Sequence, residues 1–326
     1  MPQTKKPLEG MVAVVGGATR GAGRGIARGL GEAGATVYCT GRSVRGSPSP
    51  YQRPETIEET ADIINAAGGA AIAVRVDHTV EADVQEFFKR VQRDHGRLDV
   101  LADSVAGEDP LLGNWTTLDK LDLSRGLDAM RQSLFSHVIT AKYAIHLMNK
   151  RRGLIVEVCE GDFFIGNGGN VVADLIKSSV KNLAVRLSWE LRGRQIAVIA
   201  LTPGFLRSES MLEHFKVTEA NWRDAGEKDR NFLKSESPLF VGRAVAALAA
   251  DPNVMEKSGY LTSSSELSRE YGFTDVDGSR PDFLGNVEDV TFPSWFLDYG
   301  NWYNRIVDRV MERHEHNWEL IKKVAK

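Results

Sequence analysis

The segment Gly17-Ala18-Thr19-Arg20-Gly21-Ala22-Gly23-Arg24-Gly25 decides the fold of this chain of 326 residues. It follows the apolar run at residues 11–15 and leads into apolar residues at helical spacing, which are Ile26, Ala27, Leu30 and Ala33. In a strand, glycine turn and helix of this kind, the glycines let backbone N–H groups approach a phosphate, and the helix N-terminus favours its negative charge. The segment therefore predicts a dinucleotide-binding element.

Strand-like and helix-like segments alternate after this turn. We predict further strands over residues 35–40, 70–76, 98–102, 153–159, 195–201 and 259–261. Helices are expected near residues 55–67, 80–94, 171–193 and 239–250, with two more within 117–149. This alternation predicts right-handed βαβ units and an α/β fold, a doubly wound parallel sheet covered on both faces. We expect a single domain over residues 1–265, which includes the substrate pocket, and a C-terminal extension over residues 266–326.

The composition is that of a globular enzyme rather than a nucleic-acid-binding or membrane protein. The formal net charge is −3, which gives no global attraction to nucleic acid. No stretch approaches the 18 or so apolar residues of a membrane span, and no signal peptide is visible, so we expect a cytoplasmic protein. Cys39 and Cys159 both lie in apolar strand-like runs, which predicts buried thiols in a reducing compartment.

Several motifs along the chain resemble those of the short-chain dehydrogenase/reductase family over about residues 8–265. They are Gly17-x3-Gly21-x-Gly23, Asp77 after the third strand, Leu98-Asp99-Val100-Leu101, and Pro203-Gly204. Three further segments resemble a bacterial branch related to dehydrogenase/reductase member 1, namely Gly41-Arg42-Ser43, Arg53-Pro54-Glu55-Thr56-Ile57-Glu58-Glu59-Thr60 and Tyr271-Gly272-Phe273-Thr274-Asp275. The resemblance implies a Rossmann fold of about seven strands, with cofactor and substrate at the carboxyl edge of the sheet.

The predicted second strand ends without the carboxylate that usually binds the ribose 2′-OH of NAD. Arg42 follows this strand, and Arg20 lies in the glycine turn, so two guanidinium groups can converge on a 2′-phosphate. Arg45 and Arg53 are further candidates for this basic patch. We therefore expect NADP(H) as the cofactor. With the contacts that the resemblance implies, its expected ligands are Gly17, Thr19, Arg20, Gly21, Ala22, Gly23, Arg42, Ser43, Asp77, Lys177, Pro203, Gly204 and Ser208.

The catalytic positions depart from the family pattern, in which Tyr stands four residues before Lys and Ser thirteen before Tyr. Lys177 matches the lysine, but Ala173 stands at the tyrosine position and Glu160 at the serine position. The usual asparagine is also absent, because its position falls near Gln132 or Ser133. We therefore expect Glu160 and Lys177 to be the catalytic residues, with Glu160 as a buried acid or as a carboxylate beside a cationic substrate.

Three functions fit these positions. The first is an atypical NADPH-dependent reductase of a C=N, activated C=C or C=O bond in a small metabolite, in a biosynthetic pathway. The second is a redox-silent cyclase or isomerase that retains the dinucleotide, and the third is a non-catalytic NADP-binding or scaffold protein. Retention of Lys177 disfavours the third, because that lysine also binds the nicotinamide ribose in the family.

The C-terminal extension is rich in aromatic residues, with Trp295, Trp302 and Trp318 among them. Such a helix must bury its aromatic surface, either as a lid over the pocket or against a second subunit. The resemblance implies a homo-oligomer formed through the helices near 117–149 and 171–193. No metal site is expected, because His314 and His316 do not share a helix face. His137 is interpreted as a packed residue.

Overall fold

Seven parallel strands form the centre of the structure, a computed structural model that describes residues 6–48, 53–112, 117–148, 152–159 and 171–283. The sheet has the order β3-β2-β1-β4-β5-β6-β7, which confirms the predicted doubly wound fold. Strands β1 to β3 are added towards one edge of the sheet and strands β4 to β7 towards the other, so the topological switch point lies between β1 and β4. Ligands of open α/β sheets bind at such a switch point. The strands are β1 (Val12–Gly16), β2 (Thr36–Gly41), β3 (Ala70–Arg75), β4 (Val100–Asp103), β5 (Gly153–Val158), β6 (Ile196–Thr202) and β7 (Leu261–Ser263).

The helices follow the predicted alternation, with three additions among the described residues. Helices α4, α8 and α10 were not predicted, although α8 and α10 each follow a serine whose side chain caps the helix, Ser208 and Ser263. The helices are α1 (Gly21–Glu32), α2 (Ile57–Ala66), α3 (Glu81–His95), α4 (Asp109–Leu112), α5 (Leu123–Met130), α6 (Ser136–Leu147), α7 (Val171–Leu191), α8 (Glu209–Phe215), α9 (Pro238–Ala250) and α10 (Ser264–Tyr271).

The sheet separates two apolar cores. Neighbouring residues of β1 point to opposite faces, so that Val15 packs into the core beneath α1 and α9 while Val14 packs into the core beneath α3 and α7. Both predicted core cysteines are buried and neither is in a disulfide, and burial raises the pKa of Cys39 to about 12. The two helical layers leave the carboxyl edge of the central strands open for a site.

A π-helical turn over Arg131–Phe135 joins α5 to α6. The two helices expected within 117–149 are therefore present and run into one another without a loop. The wider turn places Gln132 and Ser133 in buried positions beside the carboxyl edge of the sheet. Turns of this kind occur frequently at functional sites.

The expected domain boundary near residue 265 falls within the first turn of α10 (Ser264–Tyr271). Helix α10 packs on the core through Leu267, and Phe273 packs beside it. The predicted aromatic extension lies almost wholly in residues 284–326, outside the described residues, so its role as a lid or subunit contact stays a prediction. Within the described segments, no helix combines the length and apolar character needed to cross a membrane.

Candidate active site

A cavity of about 820 Å³ opens at the carboxyl edge of the central strands. The structure brings almost all the residues that the sequence assigned to cofactor binding together around this cavity. Those that line the cavity are Gly17, Thr19, Arg20, Gly21, Ala22, Arg42, Ser43, Asp77, Lys177, Pro203, Gly204 and Ser208. Gly23 does not line it. A Cβ at Gly23 would lie 2.2 Å from the Gly17 carbonyl oxygen, so this glycine closes the turn instead.

The glycine turn has a shape that a side chain would not permit. Gly17 has a φ of +73°, and a Cβ there would lie 2.5 Å from the carbonyl oxygen of Ser104. The N–H of Gly21 donates to Glu209 Oε2 over 2.8 Å, so α8 contacts the first residue of α1. A carboxylate is favourable at a helix N-terminus, for the same reason that a phosphate is. The turn is thus built to accept negative charge.

The basic end of the cavity contains fewer available guanidinium groups than the sequence suggested. Arg45 is paired with Asp62 and does not line the cavity. Arg53 lines it but forms ion pairs with Glu55 and Glu213. The expectation that Arg45 and Arg53 extend the basic patch is therefore wrong.

Arg20 and Arg42 differ from these two arginines. Both line the cavity, and neither forms an ion pair within the described part of the chain. Of the carboxylates that line the cavity, Glu55 is held by Arg53 over 3.0 Å and Asp77 accepts hydrogen bonds from Thr79. This end of the cavity therefore presents two guanidinium groups that no carboxylate of the described residues pairs with.

Lys177 forms an ion pair with Glu108, a buried residue at the end of the loop that joins β4 to α4. Glu108 Oε2 also accepts a hydrogen bond from Ser133 Oγ over 2.6 Å and one from the Gly107 N–H over 2.9 Å. Burial raises the pKa of Glu108, but the charge and hydrogen bond of Lys177 outweigh it and lower this pKa to about 2. A carboxylate therefore faces the family lysine at neutral pH.

The position one helical turn before Lys177 carries no polar group. Ala173 packs in a small apolar cluster with Val172 and Ile176. Glu160 lies outside the described residues, so its predicted catalytic role stays a prediction, while Cys159 just before it lines the cavity. The sequence did not single out Glu108, because its pairing with Lys177 depends on the path of the loop after β4.

His137 is more than the packed residue that the sequence suggested. Its Nδ1 lies 2.6 Å from Glu157 Oε2 and 3.9 Å from Asp103 Oδ2, and all three side chains are buried. Burial lowers the pKa of His137, but the Asp103 charge and the Glu157 hydrogen bond outweigh it and raise this pKa to about 10. A glutamate in the otherwise apolar strand β5 was the signal in the sequence for this cluster.

The ligand atoms of Asp103, His137 and Glu157 lie as close together as those of a metal site. However, the His137 Nε2 lies 2.9 Å from the Val105 carbonyl oxygen, so both ring nitrogens face acceptors. A ring in that environment carries two protons. The cluster is therefore a buried imidazolium beside Asp103 and Glu157, and burial, assisted by the charge of Asp103, raises the pKa of Glu157.

The parallel sheet, the glycine turn at its switch point and the cavity above them define an α/β dinucleotide-binding protein. Residues 11–218 match the family model described as short chain dehydrogenase. The chain is 35% identical over 282 residues to dehydrogenase/reductase SDR family member 1 of Mus musculus, covering 84% of this chain and 86% of the relative. The human protein of the same name is 34% identical over 307 residues, covering 90% and 93%. The chain belongs to the short-chain dehydrogenase/reductase family, whose members are oxidoreductases that use nicotinamide dinucleotides.

Solved structures agree with this fold. A dehydrogenase/reductase from Sinorhizobium meliloti 1021 superposes with a TM-score of 0.65 at 20% identity, covering 79% of this chain and 95% of that one. A short-chain dehydrogenase/reductase from Serratia marcescens also gives a TM-score of 0.65, at 23% identity, covering 79% and 97%. These likenesses extend the fold assignment to most of the chain.

Proposed function

We propose that this protein is an atypical NADPH-dependent reductase of a C=N, activated C=C or C=O bond in a small metabolite, in a biosynthetic pathway. One observation carries the proposal. A single cavity holds the Lys177–Glu108 pair and two guanidinium groups, Arg20 and Arg42, that form no ion pair among the described residues. The guanidinium groups fit a 2′-phosphate, which NADP(H) has and NAD(H) lacks.

The proposed chemistry uses the charges around Lys177. NADPH, when bound, supplies the hydride. Glu108 is ionised and keeps Lys177 in the ammonium form, so that the ammonium can stabilise negative charge or deliver a proton at the reduced atom. Ser133 holds the second oxygen of Glu108 and so fixes the direction of the pair. Glu160 comes two residues after β5 in the sequence, and we retain it as the second catalytic residue.

The nature of the substrate follows from the missing phenol. A ketone that accepts hydride develops an alkoxide and needs a strong donor beside its oxygen. An iminium carbon already carries positive charge, so its reduction produces a neutral amine and needs less of this support. Ala173 at the tyrosine position therefore favours cyclic imines and activated alkenes over simple ketones.

The assembly of the protein is also a proposal. Leu123, Leu127, Phe135 and Leu175 are exposed apolar side chains on α5, the π-helical turn and α7. These are the elements through which the sequence predicted a homo-oligomer. A location in the cytoplasm stays a prediction.

Cofactor preference is tested first, by calorimetric titration of NADPH and NADH. We expect strong preference for NADPH, and Arg42→Asp is expected to lose on the order of 2 kcal/mol of NADPH binding through the charged hydrogen bonds. Arg45→Asp is the matched control, because this arginine lies outside the cavity and should leave the preference unchanged. Equal affinity of the unmodified protein for both cofactors would refute the proposal.

Activity is tested by following NADPH absorbance with a panel of cyclic imines, activated alkenes and simple ketones. Turnover of imines or alkenes supports the reductase, whereas product without cofactor consumption supports the redox-silent catalyst. Cofactor binding without any turnover or product supports the non-catalytic function. In an active protein, Glu160→Gln is expected to lower the rate at least tenfold, about 1.4 kcal/mol of barrier. A smaller loss would mean that Glu160 is structural.

A further inference from the structure

The segment between β4 and α4 is held in place at Val105, through both the N–H and the carbonyl oxygen of this residue. The Val105 N–H donates to Asp103 Oδ1 over 3.2 Å, and its carbonyl oxygen accepts from His137 Nε2 over 2.9 Å. The same segment then reaches Glu108, which binds Lys177. Val105 therefore connects a buried charge cluster to the candidate active site.

The charge on His137 is enforced by its surroundings. Its Nε2 faces the Val105 carbonyl oxygen, which can only accept, and its Nδ1 lies 2.6 Å from Glu157 Oε2, so a ring protonated at both nitrogens satisfies both contacts. His78 is the other titratable group near the ring, and it lies between the hydroxyls of Thr40 and Thr140. Burial lowers the pKa of His78, so His78 adds no positive charge.

Two carboxylate oxygens in the cluster depend on this charge. Asp103 Oδ2 and Glu157 Oε1 are buried, and neither has a hydrogen-bond partner among the described residues. A buried carboxylate without compensation is costly. The imidazolium compensates both, so loss of its charge should displace β4 and the segment that follows it.

We propose that His137 is a positioning residue for the candidate active site, which acts through Val105 to hold Glu108 against Lys177. Asp103 and Glu157 keep its ring charged and oriented. Its importance for catalysis rests on the proposed function, whereas its effect on Lys177 can be measured without turnover.

The first test is competitive acetylation of lysines in His137→Gln, quantified by mass spectrometry at about pH 8. Loss of the anchor should release Glu108 and raise the modification rate of Lys177 several-fold. Lys181 lies one turn further along α7 and is buried, so it reports general unfolding. Lys142 is an exposed lysine paired with Glu81 and reports reagent reactivity. Both control lysines should keep their rates.

Two results of this experiment would overturn the proposal. One is an unchanged rate at Lys177, and the other is an equal acceleration at Lys177 and Lys181, which would make His137 a general structural residue. Where His137→Gln does not fold, Glu157→Gln takes its place, because it removes one of the two carboxylates that keep the ring charged. Glu157→Gln should also raise the rate of acetylation of Lys177.

The second test is ¹⁵N NMR of the histidine rings in the unmodified protein. Both nitrogens of His137 should stay protonated from about pH 6 to about pH 8.5. A ring with one bare nitrogen near pH 7, or a stoichiometric divalent metal found by mass spectrometry of the purified protein, would overturn the proposal.

Discussion

Replacing Gly25 by alanine is expected to lower the free energy of unfolding by about 3 kcal/mol or more. Helices α1 and α9 touch backbone to backbone at this point. A Cβ on Gly25 would lie 1.7 Å from the Pro238 carbonyl oxygen, and one on Gly242 would lie 2.0 Å from the Gly25 carbonyl oxygen. No side-chain rotation relieves such a clash, so α9 must move away from α1 and open the core around Leu30 and Val245.

Urea unfolding measured by circular dichroism tests this expectation, with Gly193→Ala as the control. Gly193 lies in the turn after α7, and a Cβ added there would have no atom within 4 Å. Alanine at this position should therefore change the free energy of unfolding by less than about 1 kcal/mol. Similar losses in the two variants would show that the α1–α9 contact is not as close as described.

The fold could be predicted because periodicity and glycine spacing are local signals. The structural roles of individual glycines could not be predicted, since Gly23 and Gly25 belong to the same motif as Gly17 and Gly21. Only the packing shows that Gly17 has the positive φ of the turn, whereas Gly25 permits contact with α9. Sequence reasoning assigned Gly23 to the cofactor for the same reason.

The candidate site was predicted in part. Lys177 was found because its spacing along one helix is fixed by the sequence. Glu108 and Glu236 were not found, because charged residues in loops are usually exposed and nothing local marks these two as buried. Their environments depend on α7, on α10 and on the loop at Gly204, which are distant in sequence.

Glu236→Gln is expected to remove a large pH dependence of stability. Glu236 is fully buried beneath Gly204, and its Oε2 accepts from the Gly204 N–H and from Ser264 Oγ, while its Oε1 has no partner among the described residues. Burial raises its pKa to about 8, assisted by the charge of Asp275 and opposed by these hydrogen bonds and by Arg207. The neutral acid is therefore the form in the folded protein near pH 7.

The sign of the effect follows from this raised pKa. The folded state binds a proton that the unfolded state releases above about pH 4.5, so this contribution to stability is complete below that pH and is lost as the pH rises towards about 8. Between about pH 5 and about pH 8 the loss is on the order of 3 kcal/mol. Glutamine does not titrate, so the variant should become more stable relative to the unmodified protein by this amount over the same interval.

Urea unfolding of both proteins at several pH values measures this difference, in which contributions from other titrating groups cancel. Glu32→Gln on the surface of α1 is the control, because its carboxylate is partly exposed and pairs with Arg28 across one helical turn. Its stability difference from the unmodified protein should stay nearly constant across the same range. A constant difference for Glu236→Gln as well would mean that Glu236 is ionised in the folded state. The carboxylate would then need a cationic partner close to the Pro203–Gly204 side of the cavity, and the charge of this cavity wall would have to be assigned anew.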